Sequence, residues 1–366
     1  MGEGTGVRFR GGGPPPVAYD PPMTRFARYS WLTLAFNVLV VLWGAIVRAT
    51  GSGAGCGSHW PLCNGVVIPQ SPRIETVIEF SHRLTSGIAF LLVLGLLVGA
   101  FRLLPRGHAG RKAAVWSMFF MVGEAALGAA LVKYRLVADN PSLNRAGVMG
   151  AHLINTFLLL AALTLTAHFV SGGSPFRMRG RGWWGGGFAL GLLGLLVSGV
   201  SGATAALGDT LFPSQTLSQA LRQDLSPTAH LLIRLRIFHP AIAIAAGLLA
   251  LYLAMRLLKR PLGPETRRFA GWTAALVFTQ VLVGTVNVLL LAPVWLQVIH
   301  LLLADLLWIA FVLLGASALA YLGLPPLPSP AAKAFAPAAD SPDARVSAPS
   351  RASSFSPSSS GSPRPS

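Results

Sequence analysis

Charge is scarce in this chain. Asp, Glu, Lys and Arg make up only 11% of its 366 residues, less than half of the roughly 25% carried by soluble domains. That shortage argues against a water-soluble enzyme. Acidic side chains are the rarer sign, 12 against 29 basic ones, which leaves a net charge of +17 and a pI near 11.4. Such an excess would suit nucleic acid. The basic residues, however, sit in short loops between apolar runs, with no basic stripe interleaved with aromatics, so no nucleic-acid partner is expected. Two cysteines are too few for a disulfide scaffold, an iron–sulfur cluster or a Cys-rich zinc site. The first thirty residues are rich in Gly, Pro and Arg and have no early apolar core. No cleavable signal peptide is expected there.

What the chain has is apolar length: 53% hydrophobic residues and a mean hydropathy of +0.59. Crossing ~30 Å of hydrocarbon takes about 20 apolar residues in a helix. Eight stretches meet that length, at 31–49, 78–101, 113–132, 147–170, 184–206, 231–255, 269–291 and 294–322. None alternates as a barrel strand must. The expected fold is therefore an all-α polytopic membrane protein. Lys and Arg set the orientation. They gather in the N-terminal arm (Arg8, Arg10, Arg25, Arg28), after the second span (Arg102, Arg106, Arg111, Lys112), after the fourth (Arg177, Arg179, Arg181) and after the sixth (Arg256, Lys259, Arg260, Arg267, Arg268). Both termini are expected in the cytoplasm of a bacterial-type cell membrane. The Pro/Ser/Ala tail, 323–366, is expected to be disordered.

The halves look duplicated. Val47–Thr50 closes the first span and Ser201–Thr204 the fifth, while Glu124 and Gly128 on the third match Gln280 and Gly284 on the seventh. The even-numbered spans each carry a histidine near the start: His82, His152, His239 and His300. The expected organisation is an arm (1–30), a four-helix half (31–170) with an outer loop at 50–77, a linker (171–183) and a second half (184–322). The two halves would form a parallel repeat. All four imidazoles then lie at similar depth in the outer leaflet, where an ionisable group is costly and marks function. Paired imidazoles on facing helices can hold haem iron axially. His82 with His152 and His239 with His300 would make two sites. Two His per bundle leave a zinc site incomplete. His59, His108, His168 and His230 fall in loops or at helix ends, where solvated or interfacial roles are expected.

Glu79 shares a helical face with His82 and could take a proton or steady a cation; an interfacial acid paired with Arg83 fits equally. The matching position in the second half is Arg236. Arg48, Arg83, Arg234 and Arg236 could contact haem propionates or snorkel to phosphates. Cys56 and Cys63 share an outer loop, where either a structural disulfide or a redox-active pair fits. Glu124, Asn155, Gln280, Asn287 and Asp305 read as interhelical hydrogen-bonding residues.

At these residues the chain resembles the haem A synthase family. The resemblance rests on Gly44–Gly51 (GAIVRATG), Trp60–Gly65 (WPLCNG) with Cys56, Glu79–Arg83 (EFSHR), Ala151–Leu153, His239–Pro240 and His300–Asp305 (HLLLAD). It implies oxidation of the methyl at porphyrin position 8 of haem O to a formyl group, by successive hydroxylations, to supply haem A for cytochrome oxidase. His82 and His152 would hold the haem O substrate, with Glu79 assisting proton removal or cation stabilisation. His239 and His300 would ligate a resident haem b, and Cys56 and Cys63 match the family's loop cysteine pair. Two departures stand out: His59 where an Asp is frequent, and Glu124 where Gln is common. A haem O synthase and oxidase assembly factors are possible partners beside membrane lipids, and a homo-oligomer is possible. A di-haem b electron-transfer subunit and a proton-relay transporter are the competing classes.

Overall fold

The computed structural model describes residues 22–322 apart from 177–179 and 181. Arg8, Arg10, Arg177, Arg179, Arg181 and the tail therefore lie outside the described residues. The described chain is helical: α1 (Pro22–Ala49), α2 (Ile74–Leu103), α3 (Ala109–Lys133), α4 (Leu143–Val170), α5 (Trp183–Leu211), α6 (Leu217–Leu225), α7 (Leu231–Arg236), α8 (Phe238–Leu258), α9 (Pro264–Leu289) and α10 (Val294–Tyr321). Eight spans are long and apolar enough to cross a membrane, with α7 and α8 together forming one of them, Leu231–Leu258. The protein is a multi-pass membrane protein.

The spans overrun the expected boundaries because a helix does not stop where the hydrocarbon does. The nine residues from Pro22 to Ser30, expected in the arm, already belong to α1. At the other end of the chain's spans, α9 stops at Leu289, two residues short of 291. Leu291 and Ala292 take left-handed backbone angles (φ 59° and 52°) just before Pro293. The sixth span, expected to be continuous, is interrupted at Ile237. Pro240 explains this, since it has no N–H for the Arg236 carbonyl and its ring collides with that carbonyl in a regular helix. In the loop after α5, α6 is a short amphipathic helix started by Thr216, whose hydroxyl accepts from the Gln219 N–H.

Helix packing follows the rules of an apolar solvent, in which close contact between small and large side chains replaces the hydrophobic effect. Between α1 and α2, a β-carbon at Gly99 would lie 2.5 Å from the Phe26 ring. Tyr29 there donates to the Leu92 carbonyl at 2.7 Å. Two buried clusters result. One gathers Phe26, Leu34, Val93, Leu96, Met121, Phe157 and Leu160 from α1–α4. The other gathers Phe188, Leu253, Phe269 and Phe311 from α5, α8, α9 and α10. Trp308 of α10 reaches into the first: its ring stacks on Phe157 at 5.1 Å and its Nε1–H donates to the Phe157 carbonyl at 2.7 Å. The outward faces remain apolar, with Leu91, Phe119, Leu193 and Phe278 exposed, as lipid-facing surfaces must be.

Candidate functional site

The four span histidines share a local environment that spacing alone does not reveal. Each packs on a glycine of the preceding span. A β-carbon at Gly44 would stand 3.1 Å from Cε1 of His82, and one at Gly128 3.8 Å from Cε1 of His152. One at Gly202 would stand 2.9 Å from Cε1 of His239, and one at Gly284 2.8 Å from Cε1 of His300. Only glycine leaves room for those rings at 202 and 284.

The structure brings His239 and His300 together, with ring centres 6.4 Å apart and planes at 87°. His239 Nδ1 lies 3.0 Å from the Ser201 hydroxyl, which anchors that ring nitrogen. His300 Nδ1 is buried with no protein partner, and its Nε2 lies 3.5 Å from the Gln280 amide nitrogen. In the first half His82 Nδ1 is likewise buried and unpartnered, and His82 lies within electrostatic reach of His152, Glu124 and Arg83. His152 Nε2 meets the Glu124 carboxylate at 2.6 Å.

A profile of the family described as COX15-CtaA, cytochrome oxidase assembly protein, matches residues 27–312. The chain belongs to the COX15-CtaA family. It is 52% identical over 299 residues to a Thermus thermophilus protein named protoheme IX farnesyltransferase, a match covering 82% of this chain and 49% of that protein. The chain thus spans about half the length of that relative. Proteins named heme A synthase are also similar: 43% identical in Bacillus mycoides and 42% in Bacillus cereus, each over 111 residues, 30% of this chain and 36% of theirs.

The other expected site residues of this COX15-CtaA chain lie in the loop between α1 and α2 and on helices α1, α2 and α7. Cys56 and Cys63 are joined in a disulfide, and both are buried. Glu79, 3% exposed, does not hang free above His82. Its carboxylate accepts from the Cys56 backbone N–H at 2.7 Å and from Arg83 Nε at 3.1 Å. Arg83 donates onward to the carbonyls of His59 and Leu62, both at 2.6 Å. The disulfide loop is therefore tied to α2 one turn before His82. Arg236 lies three residues before His239. It pairs with Asp209 at the end of α5 (3.0 Å) and with Asp224 of α6. Arg48 bridges the helices of both halves, donating to the Ala206 carbonyl (2.9 Å), the Thr210 hydroxyl (2.8 Å) and the Gln297 side chain (2.8 Å).

Removing Arg236 would strip Asp224 of its ion-pair partner and leave Asp209 with only Arg48 in electrostatic reach. Arg236→Ala is expected to destabilise the protein by about 3 kcal/mol, the usual cost of breaking a mostly buried pair. The measurement is thermal unfolding in detergent. Arg236→Lys should recover only part, because one ammonium cannot serve both partners with the geometry of a guanidinium.

Of the remaining histidines, His59 is exposed, while His108 and His230 cap α3 and α7 by accepting backbone N–H groups. His168 departs from expectation. It is 6% exposed, with Nε2 unpartnered, and from the last turn of α4 it packs against Phe169 and Gly173. Glu124 and Gln280 make the interhelical contacts expected of them, but with the two histidines themselves. Sequence reasoning left them outside the site. Their common spacing ahead of Gly128 and Gly284 was the available signal.

Proposed function

We propose that this chain is a haem A synthase, which oxidises the position-8 methyl of haem O to a formyl group by successive hydroxylations and supplies haem A for cytochrome oxidase. Membership of the COX15-CtaA family over 27–312 and the name of the Bacillus relatives support the reading. The observation that carries it is the facing of His239 and His300 with ring centres 6.4 Å apart. Two metal–nitrogen bonds of about 2 Å, plus about 1 Å from each nitrogen to its ring centre, require roughly 6 Å. The residues present therefore fit a haem whose iron His239 and His300 would hold. In this reading prenyl transfer, the activity in the Thermus name, belongs to the part of that protein outside the match.

His239 and His300 would hold a resident haem b, and His82 and His152 the substrate haem O. The resident group supplies electron relay when bound. Ser201 orients His239 through Nδ1, and glycines 44, 128, 202 and 284 give each ring its seat. Glu79, committed to Cys56 and Arg83, holds the disulfide loop over the first site and keeps a carboxylate beside it. Arg48, Arg83 and Arg236 fix the outer ends of the helices, from which a guanidinium can also face a propionate.

The halves 31–170 and 184–322, joined by 171–183, would be a parallel repeat, with arm and tail in the cytoplasm. The positions of Gly44 and Gly202 against their histidines favour pairing Gly44-Ala45 with Gly202-Ala203. That register is one turn away from the match of Val47–Thr50 with Ser201–Thr204.

Co-expression with a haem O-forming prenyltransferase and a functional electron supply is expected to yield haem A on extraction. Recovery of haem B and unaltered haem O alone would overturn the assignment.

A further inference from the structure

The two halves treat their last histidine differently. His300 Nε2 has only the Gln280 amide near it, at 3.5 Å, whereas His152 Nε2 is held by the Glu124 carboxylate at 2.6 Å. Glu124 is itself clamped. Its Oε1 accepts from Asn155 Nδ2 at 2.6 Å and from the Thr156 hydroxyl at 3.1 Å. Asn155 also donates to the Phe120 carbonyl at 2.8 Å, and the single Thr156 hydroxyl proton is shared with the His152 carbonyl at 2.9 Å. Gly123 makes the room for this, since a β-carbon there would lie 2.5 Å from Asn155 Oδ1. Three and four residues after His300 the chain carries Leu303 and Ala304, which can clamp nothing. The first half alone is built to hold a carboxylate on its imidazole.

An imidazole nitrogen cannot donate its N–H to a carboxylate and offer a lone pair to a metal at the same time. We infer that Glu124 is a positioning residue that parks His152 on a carboxylate, making the first-half site one that exchanges its porphyrin while the second-half site retains its own. Nδ1, next to Cβ, is too crowded to meet a porphyrin iron, so to serve one through Nε2 His152 must leave Glu124 and shift that proton to Nδ1, and every binding event at the first half competes with a charge-assisted hydrogen bond. His300 meets no such rival. A substrate must come and go and a relay must stay, so the difference matches the roles proposed for the two halves, on which this inference rests.

The test uses the full chain in detergent loaded with haem b, with apomyoglobin as acceptor and the Soret band as readout. Wild type should release haem in a fast and a slow phase, and His300→Leu should lack the slow one. Glu124→Gln should slow the fast phase by about tenfold or more, the scale of one charge-assisted hydrogen bond, and leave the slow phase unchanged. Glu124→Asp, which withdraws the carboxylate by one methylene, should fall between. Should Glu124→Gln lose both phases, the Asp variant decides: a slowed fast phase supports the inference and an unchanged one overturns it. A single-phase wild type, an unaltered fast phase in Glu124→Gln, or faster release from it also overturns it. A wild-type protein with no Soret band would end the haem reading itself, whereas a biphasic wild type with an indifferent Glu124→Gln ends only this inference.

Discussion

Replacing His300 with leucine is expected to remove one haem per polypeptide and leave the other in place. Leucine is close to imidazole in size, favours helix and suits the apolar surroundings of α10, whose neighbours here include Leu301, Leu302 and Leu303. The side chain lost makes no strong protein contact: Nδ1 has no partner, and Nε2 lies 3.5 Å from Gln280. Folding should therefore be spared while one of the two imidazoles whose ring centres lie 6.4 Å apart disappears. His239→Leu should do the same, and His82→Leu and His152→Leu should remove the other haem. Haem per protein, by pyridine haemochrome with the visible spectrum of each variant, provides the measurement. Unchanged pigment in His300→Leu, or loss of both haems from a folded chain, would mean that the imidazoles do not pair within halves.

The spans are legible in the sequence because a bilayer imposes one coarse demand, about 20 apolar residues in a row, which eight stretches meet. Their ends are not, since hydrogen-bonded turns continue into the interface. This is how α1 comes to start at Pro22 and α2 at Ile74. The break at Ile237 had a signal in Pro240, and α6 had one in Thr216 followed three residues later by Gln219. Both were overshadowed by the surrounding apolar run and loop. The histidines stand out in the sequence because one recurs near the start of every second span. What surrounds them does not, because helix rotation decides it. Glu124 meets a histidine 28 residues away across α3 and α4, and Arg48 finds Gln297 across 249 residues. Glu79 shows the limit most clearly. Its pairing with Arg83 four residues on was legible, but its other carboxylate oxygen accepts from a backbone N–H of the loop, a partner that no side-chain pattern encodes.

The glycines opposite the histidines provide a graded test of the site, because a single methyl group does a different amount of harm at each. An alanine β-carbon would meet Cε1 of its histidine at 2.8 Å at 284, 2.9 Å at 202, 3.1 Å at 44 and 3.8 Å at 128. The last is ordinary van der Waals contact. At the first two positions the ring has to move. An unliganded imidazole can swing about its side-chain torsions, and Gly→Ala within a helix contributes up to about 1 kcal/mol of propensity. Gly284→Ala and Gly202→Ala should therefore unfold no earlier than wild type. A liganded ring has no such freedom, because its nitrogen must keep its distance and direction to the metal. Both variants are expected to weaken haem retention in the second half on the order of tenfold, the low end of what disturbing a ligand's support costs. Gly44→Ala should weaken retention in the first half by less, and Gly128→Ala should leave it unchanged. Haem titration beside thermal unfolding of each variant gives the comparison. Equal retention across the four, or losses that track unfolding temperature instead of the distance to Cε1, would show that these glycines serve helix packing and not the seating of the rings.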